Sequence, residues 1–339
     1  RQHTYIYPSW TKKSILIETF TGQTCGNCPA GHNALEQTLG KIEDSYVIVS
    51  HHSGYNPDLF TTMEDVDYTW FYNSSSLYAP ACMVNRSPYE DGLSSVVFIP
   101  TNTKSLNAAI NKSLETPPYV NIEVDNNFDE NTKKGCLNVH VHTFVEPSSL
   151  EHRLNVFLCQ NNITAYQSNG GSDYNHNHVF RAALSGTWGD PISLEEGKNN
   201  SYMYEYSIPE KTESTYYKGT GKDPVYVPTN VNDLYFVIFV GDVSNSPLDC
   251  VVYNSACLPV NQNVDSGIEH ASSEELKYSI VDRTFTLYNK NCYAKLYNPA
   301  GSCLGTVQPN DNVLLTGGIY IIKLFFENGS VLSRKIIVK

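Results

Sequence analysis

The sequence predicts a multidomain chain, an α/β domain followed by two all-β modules, and three observations carry that prediction. Strand-like and helix-like runs alternate up to about residue 115. From Tyr119 onward the runs are strand-like only, alternating apolar and polar residues between turn-rich connections, as in an antiparallel sandwich. A stiff joint at Thr116-Pro117-Pro118 and a polar stretch at 261–273 separate the modules. A chain of 339 residues has room for two or three domains, here expected at residues 1–116, 117–262 and 263–339.

The first domain is organised around Lys13–Leu39. Ile15-Leu16-Ile17 has the look of a strand, a polar turn ends in Cys25-Gly26-Asn27-Cys28, and Pro29 fits the first turn of a helix running to Ile42. Cys25 is therefore expected at a helix N-terminus, exposed, where unpaired N–H groups and the helix dipole favour a thiolate. Cys28 is expected one turn inside as its shielded resolving partner, able to bond to Cys25 without strain. An inert disulfide and half of a zinc site are the alternatives. Zinc needs a second CxxC or a histidine pair at matching spacing, and none of the other seven cysteines forms a CxxC.

Further along this domain, 45–51 is expected as a strand, 58–73 as a helix, 82–86 as a strand just after Pro80, and 103–114 as a helix with Leu106, Ile110 and Leu114 on one face. The second module carries seven expected strands, at 119–124, 136–145, 154–160, 178–184, 201–208, 234–241 and 249–256. The last packs seven short strands into fewer than 80 residues, enough for modest stability only.

Composition excludes several functions. A net charge of −12 without clusters of Lys and Arg disfavours nucleic acid and anionic membrane surfaces. No apolar run reaches the 18 or so residues of a spanning helix. With 17% charged residues and much Tyr, Asn, Ser and Thr, the chain looks like a soluble β-rich protein working outside the cytoplasm. Nine cysteines leave at least one outside any intrachain pair. Cys136, Cys159 and Cys250 border strand-like runs and suit small buried hydrophobes. Cys292 and Cys303 flank a turn at Asn298–Gly301, but a turn centred between Pro299 and Ala300 sets Cys303 against Leu296 and leaves Cys292 too distant to bridge.

Histidines offer weaker signals. His140 and His142 share a strand face, as do His176 and His178 if extended, and His32, His51 and His52 lie near the CxxC in sequence. Ordinary polar roles account for them, so no metal ligands are assigned. Asp125–Asn131 lacks the glycine and glutamate of a calcium loop and reads as a hairpin turn. No phosphate-binding glycine loop or other cofactor motif occurs, and no cofactor is expected.

Glu18–Pro29, then Pro80 with Val84-Asn85-Arg86, then Tyr174–Arg181 resemble the Bacteroidetes outer membrane protein family called Omp twenty-eight-related, over about residues 10–260. The resemblance implies a thioredoxin-like domain, an immunoglobulin-like sandwich and a cell-surface or envelope location. In a thioredoxin-like site, Pro80 would match the cis-proline beside the CxxC, with its neighbour's backbone receiving an extended polypeptide. Glu18 would match the buried acid that moves a proton from the resolving thiol. Two departures stand out: Thr24 replaces the usual aromatic residue, and Cys82 brings a third thiol nearby. The tail, through Tyr297–Gly301, Leu315–Tyr320 and Lys335–Val338, is similar to the C-terminal sorting domain of the type IX (Por) secretion system.

The resulting expectation is a surface binding or adhesion protein contacting polypeptides or surface proteins. The alternative is an envelope thiol–disulfide oxidoreductase in which Cys25 attacks, Cys28 resolves, Glu18 assists and Pro80 guides. A metal-binding surface protein is the third possibility.

Overall fold

The computed structural model describes residues 12–42, 45–148, 151–218, 220–221, 223–263, 276–298, 303–326 and 331–338. Contacts divide the chain into two compact units, Arg1–Asn263 and Val264–Lys339. The expected linker lies outside the described residues from 264 to 273.

In the first unit, β1 (Ile15–Phe20) is buried along its whole length, as befits a strand covered on both faces. It pairs in parallel with β2 (Tyr46–His51) and antiparallel with β3 (Ala81–Val84). Helix α1 (Cys28–Leu39) follows β1, α2 (Met63–Tyr68) follows β2 and α3 (Thr103–Glu115) follows β3. The helix expected over 58–73 is shorter because Thr62 caps it: Thr62 Oγ1 accepts from the Asp65 backbone and Asp65 accepts from the Thr62 backbone. Residues 69–72 continue as a 3₁₀ turn.

Beyond Pro118 come β4 (Val120–Asp129), β5 (Lys134–Thr143), β6 (His152–Gln160), β7 (Ile163–Gln167), β8 (Gly171–His176), β9 (Val179–Ala183), β10 (Asp190–Ile192), β11 (Asn199–Ser207), β12 (Lys211–Glu213), β13 (Tyr226–Pro228), β14 (Leu234–Asp242) and β15 (Val252–Pro259). The central sheet runs β15-β14-β6-β9-β2-β1-β3, with β10 beside β6. Strands from both sides of 116–118 thus share one sheet, and the boundary expected there falls inside a single compact unit. The prolines end α3 but leave later strands free to join the sheet begun by β1. The apolar stretches of β6 and β14 are buried along nearly their whole length, and their Phe157, Val237 and Phe239 share one core with Leu16 and Phe20 of β1.

The two faces of β1 meet different surroundings. Ile15 and Ile17 pack with Leu35 and Leu39 of α1 and Leu106 and Ile110 of α3. Leu16 and Phe20 pack with Tyr68, Phe71, Phe157, Phe180, Val237 and Phe239. A separate sheet, β11-β5-β4, alternates buried Leu137, Val139 and Val141 with partly exposed residues. Asp125–Asp129 ends β4, so the calcium-like run leads into the hairpin with β5.

The second unit comprises β16 (Tyr278–Val281), β17 (Thr284–Leu287), β18 (Cys292–Tyr297), β19 (Cys303–Val307), β20 (Asn312–Leu314), β21 (Gly318–Phe326) and β22 (Val331–Val338). They form sheets β16-β17-β20 and β19-β18-β21-β22 around Phe285, Leu287, Leu296, Ile322 and Leu324. Cys303 stands opposite Tyr297, one residue from the expected register, with a bulge between Leu296 and Tyr297. Cys292 faces Phe326, and the two cysteines are not bridged. Residues 299–302 of that turn lie outside the described residues.

Candidate functional site

Cys25 and Cys28 form a disulfide with Cα atoms 5.5 Å apart. Helix α1 begins at Cys28, not at Cys25, because the N-cap is Asn27 and a proline occupies the first turn. Cys25 lies in the preceding turn, its carbonyl accepting from Cys28 N at 3.3 Å. The exposure expected of Cys25 is overturned: it is 2% exposed, and Cys28 0%.

The cover is a hairpin about 140 residues away in sequence. At the end of β7 and in the turn to β8, Gln167, Ser168 and Asn169 reach the CxxC turn and bond to its carbonyls. Gln167 Nε2 donates to Gly22 O at 3.1 Å and to Cys25 O at 2.9 Å, Ser168 N donates to Gln23 O at 2.7 Å, and Asn169 Nδ2 donates to Gly26 O at 2.9 Å. Gln23 Nε2 returns a bond to Tyr166 O at 2.8 Å. The fit is close enough that a Cβ on Gly26 would lie 2.9 Å from Asn169 Nδ2. From β8, Tyr174 Oη meets His32 Nδ1 of α1 at 2.9 Å.

Imidazole rings make further contacts at this hairpin. His176 packs against Phe60 and His52, with ring centroids 4.9 and 5.8 Å away. Burial, followed by the nearby charges of His52, His176 and His178, brings His32 down to about 4. Burial, then His52, does the same for His176, and burial alone brings His178 to about 4. His52 Nδ1 bonds Asp58 Oδ2 at 2.7 Å, and that oxygen also accepts from Gln23 N. His176 and His178 do not share a face: His178 turns to Tyr235 Oη at 2.8 Å. His140 bonds Asp125 and Ser201. Among the described residues no group of three or more His, Cys, Asp or Glu could hold a metal.

The structure does not bring Pro80 and Glu18 together. The Ala79–Pro80 bond is cis, and Pro80 abuts α1 so tightly that a Cβ on Gly31 would come 2.5 Å from Pro80 Cβ. Glu18 points to the other face of β1, with Leu16 and Phe20 and away from α1. There Arg86 Nε and Nη2 each donate to it at 2.7 Å, and His51 Nε2 lies 3.1 Å from Oε1. His51 Nδ1 meets Asp65 Oδ1 at 2.9 Å, and Arg86 lies against Phe71 and Phe239. Burial raises the Glu18 carboxyl, but Arg86's charge and hydrogen bonds, then those of His51, outweigh it and bring it to about 2. Burial likewise lowers His51, yet its bonds to Asp65 and Glu18 leave it raised. Glu18 therefore serves as an anion holding Arg86 and does not face the disulfide as a proton carrier. Cys82, on the α1 side, is a buried thiol that burial pushes up.

Sequence reasoning missed Gln167, Asn169, Tyr174 and Arg86 as members of these two clusters. Asn169-Gly170-Gly171 is a hairpin signal, with Asn169 and Gly171 both at positive φ, although the flanking strands lack apolar alternation.

Residues 72–218, a little under half of the chain, match the family described as Outer membrane protein Omp28. Over that stretch the chain is similar to this family, and the likeness supports a location in the cell envelope or at the outer membrane surface. Among solved structures, HBP35 of Porphyromonas gingivalis aligns over 97% of this chain and 99% of its own at 17% identity and a TM-score of 0.57, so the two share a fold. Protein AGR_C_4864 from Agrobacterium tumefaciens covers 78% of this chain and 100% of its own at 12% identity and TM-score 0.48. A domain of the outer membrane lipoprotein Omp28 from Porphyromonas gingivalis covers 44% and 95% at 19% identity and TM-score 0.27. No curated protein sequence matches. Among the described residues no helix is long and apolar enough to cross a membrane.

Proposed function

We propose that the protein is a surface binding or adhesion protein whose thioredoxin-like region is a scaffold and whose Cys25–Cys28 disulfide is a structural tie. The observation that carries this reading is the hairpin β7–β8 seated on the CxxC turn. Thiol–disulfide exchange requires a thiolate to reach one sulfur of the pair, and Cys25 is 2% exposed beneath that cover. Glu18, spoken for by Arg86 and His51, is no proton acceptor for Cys28. Exposed aromatic side chains such as Trp70 and Trp188, and Tyr166 on the hairpin itself, suit contacts with polypeptides or surface proteins. An immunoglobulin-like reading of the strands from β4 to β15, and a sorting role for the tail, are consistent with a surface protein. The second reading, an oxidoreductase, draws on the cis Ala79–Pro80 bond packed beside α1.

The test is insulin reduction by the full chain with dithiothreitol. The scaffold reading expects no acceleration over dithiothreitol alone, and binding to envelope surface proteins that is unchanged in a Cys25→Ser/Cys28→Ser variant. Acceleration that this variant abolishes would overturn it in favour of the oxidoreductase.

A further inference from the structure

The hairpin touches the CxxC turn through the turn's own backbone. Four successive contacts, from Gln167, Ser168 and Asn169, end on carbonyls of Gly22, Gln23, Cys25 and Gly26. Two of those carbonyls belong to the loop that the disulfide closes. The Gln167 amide is itself fully buried and gives both of its bonds to this turn. Gly26 has no room for a Cβ under Asn169, so the seat tolerates little change in the path of the turn. Elsewhere the hairpin is held by modest contacts: Ile163 with Phe60, Val179 and Val227, the His176–Phe60 ring contact, and the bond from Tyr174 to His32 of α1.

We infer that the Cys25–Cys28 disulfide is a redox-sensitive latch: oxidised, it shapes the seat on which the hairpin β7–β8 docks, and reduced, it releases the hairpin. The inference rests on the scaffold reading and adds regulation to the same site. A dithiol reductant transfers two electrons and two protons, leaving two protein thiols and its own disulfide, so one S–S bond breaks as another forms. The two sulfurs, no longer bonded, repel to van der Waals contact in a buried space and each gains a hydrogen. The Cys25 and Gly26 carbonyls move with them, and Gln167 and Asn169 lose their acceptors. A buried amide without acceptors is costly, which favours undocking. By linkage the effect is reciprocal: docking must favour the oxidised form as strongly as oxidation favours docking.

Hydrogen exchange read by mass spectrometry on the full chain, oxidised and after dithiothreitol, tests the latch. Exchange across residues 163–176 is expected to rise at least about tenfold on reduction, a coupling of ordinary size, while β4 and β5 keep their protection. In a Gln167→Ala/Asn169→Ala variant, the equilibrium with dithiothreitol should shift toward the thiols by a similar factor. Unchanged exchange over 163–176, or a rise spread evenly over the whole first unit, would overturn the latch. Neither outcome bears on insulin turnover, so the latch and the scaffold reading fail separately.

Discussion

The two sides of β1 hold two buried polar clusters, and they are built on opposite principles. On one side Glu18, Arg86, His51 and Asp65 form a chain of charges in which the carboxylates are met by cations at hydrogen-bond distance. On the other side the disulfide, His32 and His176 sit among backbone carbonyls, a tyrosine hydroxyl and aromatic rings, with the buried Asp58 carboxylate close by on His52, and a hairpin seals them. The charged groups all come from the first 86 residues, although Phe180, Val237 and Phe239 from later strands help to bury them. The neutral side depends on a distant segment. A buried acid near a CxxC therefore says little about chemistry until its direction and its partners are known.

The largest expected effect falls on the charged side. Arg86→Ala strips Glu18 of two bonds and leaves a carboxylate buried, at a cost of about 3–5 kcal/mol. Urea unfolding of the first unit measures this; a loss under about 1 kcal/mol would mean that the network contributes little beyond packing. On the neutral side, Gly31→Ala drives a methyl to within 2.5 Å of Pro80 Cβ. Overpacking of that kind costs about 1–3 kcal/mol, and a urea midpoint that does not fall would show that α1 and Pro80 can move apart freely.

Acid should separate the two sides in sequence. His32 and His176 are neutral in the fold, with values brought from 6.5 to about 4. The unfolded chain takes up protons first, so their contribution is whole above about 6.5 and fades as pH falls toward 4. His52, His178, Asp58, Glu36 and Tyr174 are the other titrating groups facing this cluster, and Asp58, lowered chiefly by His52 against burial, stays ionised over that window. Glu18 behaves otherwise: its contribution is present above about 4.5 and is lost only as pH falls toward 2. Amide exchange near pH 5 should rise in 163–176 while β1 stays protected. Simultaneous loss of both would merge the two sides into one unit.

Local signals in the sequence were faithful to local structure. Ile15-Leu16-Ile17, the CxxC and Pro29 gave a strand, a turn and a helix start within a residue or two of their places. Long-range facts were not legible. Glu18 faces away from α1 because side chains alternate along a strand, and only the packing of Leu16 and Phe20 tells which face is which. The sheet crosses residues 116–118 because β9 pairs with β2 at one position, Ser50 with Val179. The cover over Cys25 comes from Ile163–His176, a polar hairpin whose docking residues are Gln, Ser and Asn, types that carry no periodic pattern.

The central claim is that the hairpin shields the disulfide, and the rate at which dithiothreitol reduces Cys25–Cys28 in the oxidised full chain tests it most directly. Alkylation and mass analysis should find reduction at least about a hundredfold slower under native conditions than in urea, the factor for an opening that costs about 3 kcal/mol. Rates within a few-fold of each other would contradict the account and return Cys25 to the role of an accessible, reactive sulfur.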